Sequence, residues 1–296
     1  MPETPNPLSR RGLLAMAAAA GATVLAACSS DGSGAQTSGA ANAPGSSTAG
    51  ASPGTTPATS SEATTATTAG ASTAATTGST ATATDAASCE PIPEETAGPF
   101  PGDGSNGPDV LAEADVVRSD IRSSIGSASG VADGVPLTIE LTITDTAAGC
   151  TPLANAAVYL WHCDREGSYS MYSGDAEDEN YLRGVQVSDA DGRLSFTSIF
   201  PACYSGRWPH AHFEVYSSVE DATGGGEPIV TSQLAFPQDT CDVAYATTGY
   251  EQSVSNLSQL SLQSDMVFSD DGAAHQLATM TGDATSGYTA SLTVAV

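Results

Sequence analysis

The chain has 296 residues, and its 34 acidic residues against eight basic ones give a formal net charge of -26 at pH 7. Nucleic acid and anionic lipid carry charge of the same sign, so neither is expected as a partner. All eight basic residues are arginines, because the chain contains no lysine. An arginine beside reactive side chains is therefore conspicuous.

Residues 1–28 have the features of an export signal. Arg10 and Arg11 form a twin-arginine-like start, and residues 13–27 are an apolar stretch too short to span a bilayer convincingly. The stretch ends in LAAC at Cys28, which resembles a bacterial lipobox. We expect export and a lipid anchor at Cys28 on the outer face of the bacterial cell membrane. A plain secretory cleavage site is the alternative.

Residues 29–88 consist almost entirely of Ala, Thr, Ser, Gly and Pro and show no apolar periodicity. Such a segment buries too little apolar surface to offset the entropy of ordering, so a disordered tether is predicted. As a flexible coil of about 60 residues it would span roughly 40–45 Å. Residues 89–296 remain as one folded domain, which we expect to carry the function.

Five cysteines follow the lipobox: Cys89, Cys150, Cys163, Cys203 and Cys241. Disulfides are the ordinary state of cysteines in an exported protein, and the odd count leaves one thiol over. The pairs Cys89–Cys150 and Cys203–Cys241 are predicted, with Cys163 free, although connectivity cannot be deduced from sequence alone.

The domain contains many short strand patterns separated by turn residues. These patterns cover residues 135–145, 156–163, 184–188, 193–199, 210–216, 228–236 and 287–296. The Asp191-Gly192 pair indicates a hairpin between the third and fourth of these segments. No amphipathic helix longer than two turns is found. The pattern predicts an all-β domain, an antiparallel β-sandwich with long active-site loops.

Two histidines in the stretch 200–216, FPACYSGRWPHAHFEVY, are candidate metal ligands. Residues i and i+2 of a strand point to the same face, so His210 and His212 can present both imidazoles to one ion. The pair alone also fits zinc, copper, Fe(II) or mere hydrogen bonding. Tyr204 and Tyr169 lie in nearby loops, and two phenolates with two imidazoles form a hard, anionic set suited to Fe(III).

Several ordered motifs at characteristic spacing accompany these residues. They occupy residues 93–103, 118–122, 157–170, 182–201 and 200–216. Together they resemble the intradiol ring-cleavage dioxygenases, the non-haem Fe(III) enzymes that include catechol and protocatechuate dioxygenases. The resemblance covers essentially all of residues 89–296.

The resemblance implies a role for each candidate residue. Its iron ligands would be Tyr169, Tyr204, His210 and His212, and its cofactor non-haem Fe(III). Catalytic roles would fall to Arg207, which is the only cation close to these residues in sequence, to Tyr204 as a proton acceptor, and to Gln233. The implied reaction cleaves a catechol-type small molecule between its two hydroxylated carbons with O2, giving a cis,cis-muconate-type diacid.

Two other functions remain open. The first is a catalytically silent cell-surface β-sandwich that binds aryl or sugar ligands. The second is a cupin-type Fe(II) oxygenase or zinc enzyme, for which Glu214 lies one residue too early and His275 lacks the usual context. The dimerisation helices of the catechol enzymes are missing, so the oligomeric state is open. His162 is expected to be structural, Trp161 a core residue and His275 a surface residue.

Overall fold

A computed structural model describes residues 89–296, so the predicted signal, the tether and Cys28 lie outside the described residues. Residues 89–296 contain nine strands: β1 (Pro136–Asp145), β2 (Thr151–Pro152), β3 (Ala157–Trp161), β4 (Arg183–Val187), β5 (Arg193–Ile199), β6 (His210–Tyr216), β7 (Val230–Ala235), β8 (Thr279–Asp283) and β9 (Gly287–Ala295). The same range contains three short α-helices: α1 (Val219–Thr223), α2 (Gln238–Ala244) and α3 (Glu251–Leu257). In the described part of the chain, no helix has the length and apolar character needed to cross a bilayer.

The strands form two sheets. The larger has the order β2-β1-β9-β8 with β5 also paired to β1, and the smaller has the order β4-β3-β6-β7. Strand β1 alternates as predicted, with Leu137, Ile139 and Leu141 buried and Thr138 and Glu140 more exposed. These buried side chains pack with Val158, Leu160 and Phe213 of the smaller sheet, which confirms the all-β sandwich.

The smaller sheet is buried on both of its faces, and this positions the site. Every residue of β3 and β6 is buried. One face of β3 packs in the core between the sheets, whereas Tyr159 and Trp161 lie in a second apolar cluster on the outer face. Residues 97–116 and 169–172 cover that outer face. His210 and His212 of β6 share this outer face, beneath the covering loops.

Two details of the predicted topology are wrong. The Asp191-Gly192 pair does make a tight turn, but β4 and β5 belong to opposite sheets, and β5 pairs with β1 instead. The turn is fixed against β1 because Ile143 N–H donates to the Gly192 carbonyl at 2.7 Å, and a Cβ at Gly192 (φ 74°) would collide with the Ile143 carbonyl oxygen. The sandwich is also not wholly antiparallel, since β1 and β9 pair in parallel.

The cysteine predictions are confirmed in part. Cys89 and Cys150 form a disulfide, and Cys163 is a free, buried thiol. The predicted Cys203–Cys241 bond is wrong, because both thiols are free. Each sulfur faces a different backbone carbonyl: Cys203 Sγ lies 3.6 Å from the Arg207 oxygen and Cys241 Sγ lies 3.8 Å from the Phe236 oxygen.

The disulfide closes a loop of 61 residues, which predicts a measurable stabilisation. Replacing both Cys89 and Cys150 with Ser should lower the free energy of unfolding by about 4 kcal/mol, because the unfolded chain regains loop entropy. Denaturant titration with and without reductant measures this. The reductant should destabilise the wild type equally and leave the double variant unchanged.

The same structure predicts which thiols are free. Alkylation of the denatured, unreduced protein should label Cys163, Cys203 and Cys241, whereas Cys89 and Cys150 should react only after reduction. Peptide mass mapping reads the result. Labelling of Cys89 before reduction would contradict the observed pairing.

Candidate metal centre

Four side chains, two from strand β6 and two from separate loops, bring their polar atoms together. The two imidazole Nε2 atoms of His210 and His212 lie 3.1 Å apart. His210 Nε2 lies 3.2 Å from the Tyr204 hydroxyl oxygen and 3.4 Å from the Tyr169 hydroxyl oxygen. The four residues named from the sequence are therefore neighbours in space, with His210 Nε2 as their common contact.

The histidines owe their position to strand β6. Both side chains leave the same face of the strand, and β6 is held between β3 and β7. Register places Trp161 of β3 opposite His212, and the two rings stack at 4.9 Å with an interplanar angle of 4°. Trp161 is thus the core residue expected, and it also orients His212.

His210 is oriented from its other ring nitrogen. Its Nδ1 lies 2.5 Å from the Trp208 carbonyl oxygen, which can only accept a hydrogen bond. Nδ1 therefore carries the proton, and Nε2 presents a lone pair to the two tyrosines and His212. Such a hydrogen bond is the usual way in which a metal-binding histidine is fixed in one tautomer.

The tyrosines are held by two loops, one after β3 and one before β6. Tyr169 is buried, and its ring packs 5.1 Å from that of Phe100. The Tyr204 loop is tied to α3, since Cys203 N–H donates to Ser253 Oγ at 3.0 Å and Asn256 Nδ2 donates to the Cys203 carbonyl at 2.8 Å. The turn before Tyr204 is therefore fixed by a helix that the sequence pattern did not reveal.

Burial sets the protonation of all four groups. Desolvation lowers the pKa of His210 to about 3 and that of His212 well below its ordinary value, so both imidazoles are neutral near pH 7. Desolvation also raises the pKa of Tyr204 to about 12 and that of Tyr169 well above its ordinary value. The phenols consequently keep their protons unless a strong Lewis acid displaces them.

The three separations from His210 Nε2 fit donors that share a single ion. Two ligands about 2.1 Å from one metal and roughly at right angles lie about 3 Å apart. The measured separations around His210 Nε2 run from 3.1 to 3.4 Å. Neutral imidazoles and phenols that ionise on binding are suitable donors for a hard trivalent cation. The residues present fit the metal that the sequence resemblance implies.

Arg207 and Gln233 lie together beside this cluster. Arg207 Nη2 donates to Gln233 Oε1 at 2.6 Å, and Gln233 Nε2 donates to the Thr96 carbonyl at 2.8 Å. Gln233 stands opposite His212 in the β6–β7 register. The structure thus brings both predicted catalytic side chains to the same face as the histidines.

Sequence reasoning missed Asp265, which pairs with Arg207. Arg207 Nε donates to Asp265 Oδ2 at 3.0 Å, and the carboxylate is fully buried. Burial alone would raise the pKa of Asp265, but the N–H groups of Trp208 and Val267 and the Arg207 guanidinium hold it below its ordinary value. Because the buried carboxylate stays ionised, it neutralises the positive charge of Arg207. No local pattern marks Asp265, because it lies 58 residues further along the chain.

Arg183 is a second buried cation. The sequence did not indicate its role, because most of its partners lie far from it in the chain. It donates to the carbonyls of Phe100 and Pro101 at 2.9 and 2.7 Å and to the Ser170 carbonyl at 3.0 Å, next to Tyr169. Arg183 therefore fastens the loop around Phe100 to the segment that carries Tyr169.

The other singled-out histidines lie outside the cluster. His162 is buried and bonded to the Cys163 carbonyl and to Ser198 Oγ, both at 2.7 Å, as expected for a structural residue. His275 is partly exposed and lies 3.3 Å from Glu90. Neither lies within hydrogen-bonding distance of the four clustered side chains.

The chain is similar to several known dioxygenases. Residues 106–222 match a family model described as "Dioxygenase", and this segment contains Tyr169, Tyr204, Arg207, His210 and His212. Chlorocatechol 1,2-dioxygenase of Rhodococcus opacus is 31% identical over 114 residues, which cover 33% of this chain and 42% of that protein. Catechol 1,2-dioxygenase 2 of Acinetobacter lwoffii is 41% identical over 54 residues, or 18% of this chain and 19% of that protein. The chain thus spans less than half the length of these curated relatives.

A solved structure shares the fold. The intradiol ring-cleavage dioxygenase from Tetranychus urticae superposes with a TM-score of 0.55 at 24% identity, covering 70% of this chain and 94% of that one. The family match covers residues 106–222, and the solved structure shows that the chain shares the fold of that ring-cleavage dioxygenase.

Proposed function

We propose that the protein is a non-haem Fe(III) intradiol dioxygenase that cleaves catecholic aromatics between the two hydroxylated carbons with O2. The products would be cis,cis-muconate-type diacids. The observation that carries the proposal is the convergence of two phenol oxygens on a pair of imidazole nitrogens at His210 Nε2. Tyr169, Tyr204, His210 and His212 are the proposed ligands.

The donor types favour Fe(III) over zinc. Within residues 89–296 the His, Cys, Asp and Glu side chains form no group of three that could hold a metal ion, so both tyrosines are needed to complete a site. Buried phenols give up their protons only to a strong Lewis acid. When bound, Fe(III) would supply the redox and Lewis-acid chemistry that activates the diol toward O2.

The cupin alternative finds little support in the geometry. Glu214, the acid that it would require, is buried and already bonded. It accepts hydrogen bonds from the Tyr216 hydroxyl at 2.6 Å and from Thr231 Oγ1 at 3.1 Å. The carboxylate is therefore engaged away from the two histidines.

The protein residues divide the remaining work. Tyr204 is the one proposed ligand that is partly exposed, whereas Tyr169, His210 and His212 are buried, so Tyr204 is the side chain free to swing away and take a proton from the diol. Arg207 lies where it can stabilise negative charge that develops on the substrate. Gln233 supports Arg207 through its side-chain oxygen.

The substrate class is proposed from the relatives. Two curated relatives are named for catechol and chlorocatechol. A cell-surface sandwich that only binds aryl or sugar ligands is the second candidate, but it would not require two tyrosines and two histidines to converge.

We further propose export and lipid anchoring at Cys28, which rest on the signal pattern of residues 1–28 alone.

Iron reconstitution tests the catalytic proposal. The Fe(III)-loaded wild type should be red-brown through tyrosinate-to-iron charge transfer, should change colour when catechol is added anaerobically, and should then consume O2. Tyr169→Phe and Tyr204→Phe should each remove or shift the band and abolish O2 uptake. Tyr288→Phe, a buried tyrosine elsewhere in the core, is the matched control. A colourless protein after reconstitution would leave the binding module as the better account.

Gly98 provides an independent test of His212 as a ligand. A Cβ at Gly98 would lie 3.3 Å from His212 Cε1 and 3.7 Å from Nε2, so Gly98→Ala should crowd the metal-binding edge of the ring. We expect iron content per chain to fall several-fold. Gly149 has nearly the same backbone angle (φ 73° against 71°) and open space around it, so Gly149→Ala controls for backbone strain. Equal iron loss in both variants would contradict a specific effect on His212.

Lipid anchoring is tested in a bacterial host with this export pathway. The full chain should partition into the detergent phase, and mass spectrometry should find a mature N-terminus at a lipid-modified Cys28. Cys28→Ala should remain in the aqueous phase or retain its signal. An unmodified terminus near Cys28 in the wild type would instead indicate plain secretion.

A further inference from the structure

Asp265 is buried and accepts hydrogen bonds from four N–H groups. Its Oδ2 accepts from Arg207 Nε at 3.0 Å and from Trp208 N at 2.6 Å. Its Oδ1 accepts from Val267 N at 2.8 Å and from Phe268 N at 3.1 Å. The side chain has no exposed surface, so all of its bonding capacity is directed at these partners.

Asp265, Gln233 and the Phe268 ring together fix the plane of the Arg207 guanidinium. Nε is held by Asp265 and Nη2 by Gln233, and these two contacts lie on one edge of the group. The guanidinium carbon lies 5.9 Å from the centre of the Phe268 ring, which supports one face. A planar fork held at two nitrogens and against an aromatic ring has little freedom to rotate.

One edge of the guanidinium remains uncommitted. Nη1 makes no hydrogen bond with any residue in 89–296, and Arg207 keeps 8% of its surface exposed. The Nη1 donors of Arg207 therefore remain available for a further hydrogen bond.

We propose that Asp265 is a positioning residue that aims the free donors of Arg207 at the reacting diol. Through Trp208 it acts on the ligand set as well: its Oδ2 holds the Trp208 N–H, and the Trp208 carbonyl accepts from His210 Nδ1. The same carboxylate therefore coordinates the placement of the activating cation with that of a ligand. This inference rests on the proposed dioxygenase function.

A double-mutant cycle separates positioning from mere structural support. Asp265→Asn should lower kcat for catechol about 10- to 100-fold, the usual cost of removing such a supporting group, with a much smaller change in KM. In an Arg207→Gln background the same change should cost less than about threefold, because the group that Asp265 positions is already missing. The Trp208, Val267 and Phe268 contacts are altered in both backgrounds and cancel in the comparison.

Controls keep the cycle interpretable. Iron content and the tyrosinate band of Asp265→Asn report any effect that reaches His210 through Trp208, and kcat is therefore compared per bound iron. Asp120→Asn removes a surface carboxylate that also binds an arginine and a backbone N–H, and it should leave kcat unchanged. If Asp265→Asn does not fold, Asp265→Glu keeps the charge but displaces the carboxylate and should show the same non-additivity. Equal losses in the two Arg207 backgrounds would overturn the positioning role.

A spectroscopic readout is independent of turnover. In a proton–nitrogen NMR spectrum of the iron-free full chain, Arg207 should give a distinct, slowly exchanging Nε–H signal that Arg207→Gln identifies by its loss. Asp265→Asn should shift it or broaden it, and Asp120→Asn should not. If the wild type fails to cleave catechol but this signal behaves as expected, the proposed function fails and the Asp265–Arg207 constraint stands. An unchanged signal in Asp265→Asn would contradict the constraint itself.

Discussion

The alternation of side chains along β6 is the constraint on which the site depends. It sends Ala211, Phe213 and Val215 into the core between the sheets and leaves His210 and His212 on the outer face. A register shift of one residue would exchange these two sets and bury both imidazoles in the apolar core. Pairing of β6 with β3 and β7 along its length prevents such a shift.

Burial of this outer face gives the cluster its chemical character. In water the histidines would be partly protonated near neutral pH and the tyrosines would be ordinary phenols. Covered by loops, the imidazoles stay neutral and the phenols become harder to ionise. Burying two unpaired arginine charges under these loops would also cost free energy. The structure compensates the two charges in different ways. Arg207 is neutralised by Asp265, whereas Arg183 is surrounded by backbone carbonyls.

Local pattern made much of the fold and the candidate ligands predictable. Strand β6 was predicted with its observed bounds because polar ligands alternate there with apolar core residues. The motifs around Tyr169 and Tyr204 identified the remaining donors, although assigning them to iron stays a prediction. Asp191-Gly192 marked a turn correctly, but which sheet the next strand joins depends on packing against β1 rather than on the turn.

Features set by distant parts of the chain escaped prediction. The orientation of the Cys203 and Cys241 thiols depends on which carbonyl each one faces, and this cannot be inferred from spacing. Asp265 contacts Arg207 across 58 residues of sequence and has no motif around it. Arg183 contacts the Phe100 carbonyl across 83 residues of sequence, and no motif marks this contact either. Each of these contacts is tertiary, and only the folded domain reveals it.

A crystal structure of the iron-loaded protein, with anomalous scattering recorded on both sides of the iron absorption edge, tests the central claim most directly. The account predicts one iron peak within about 2.3 Å of Tyr169 Oη, Tyr204 Oη, His210 Nε2 and His212 Nε2. A peak bound by the histidines alone, or no peak beside β6 in fully loaded protein, would contradict it.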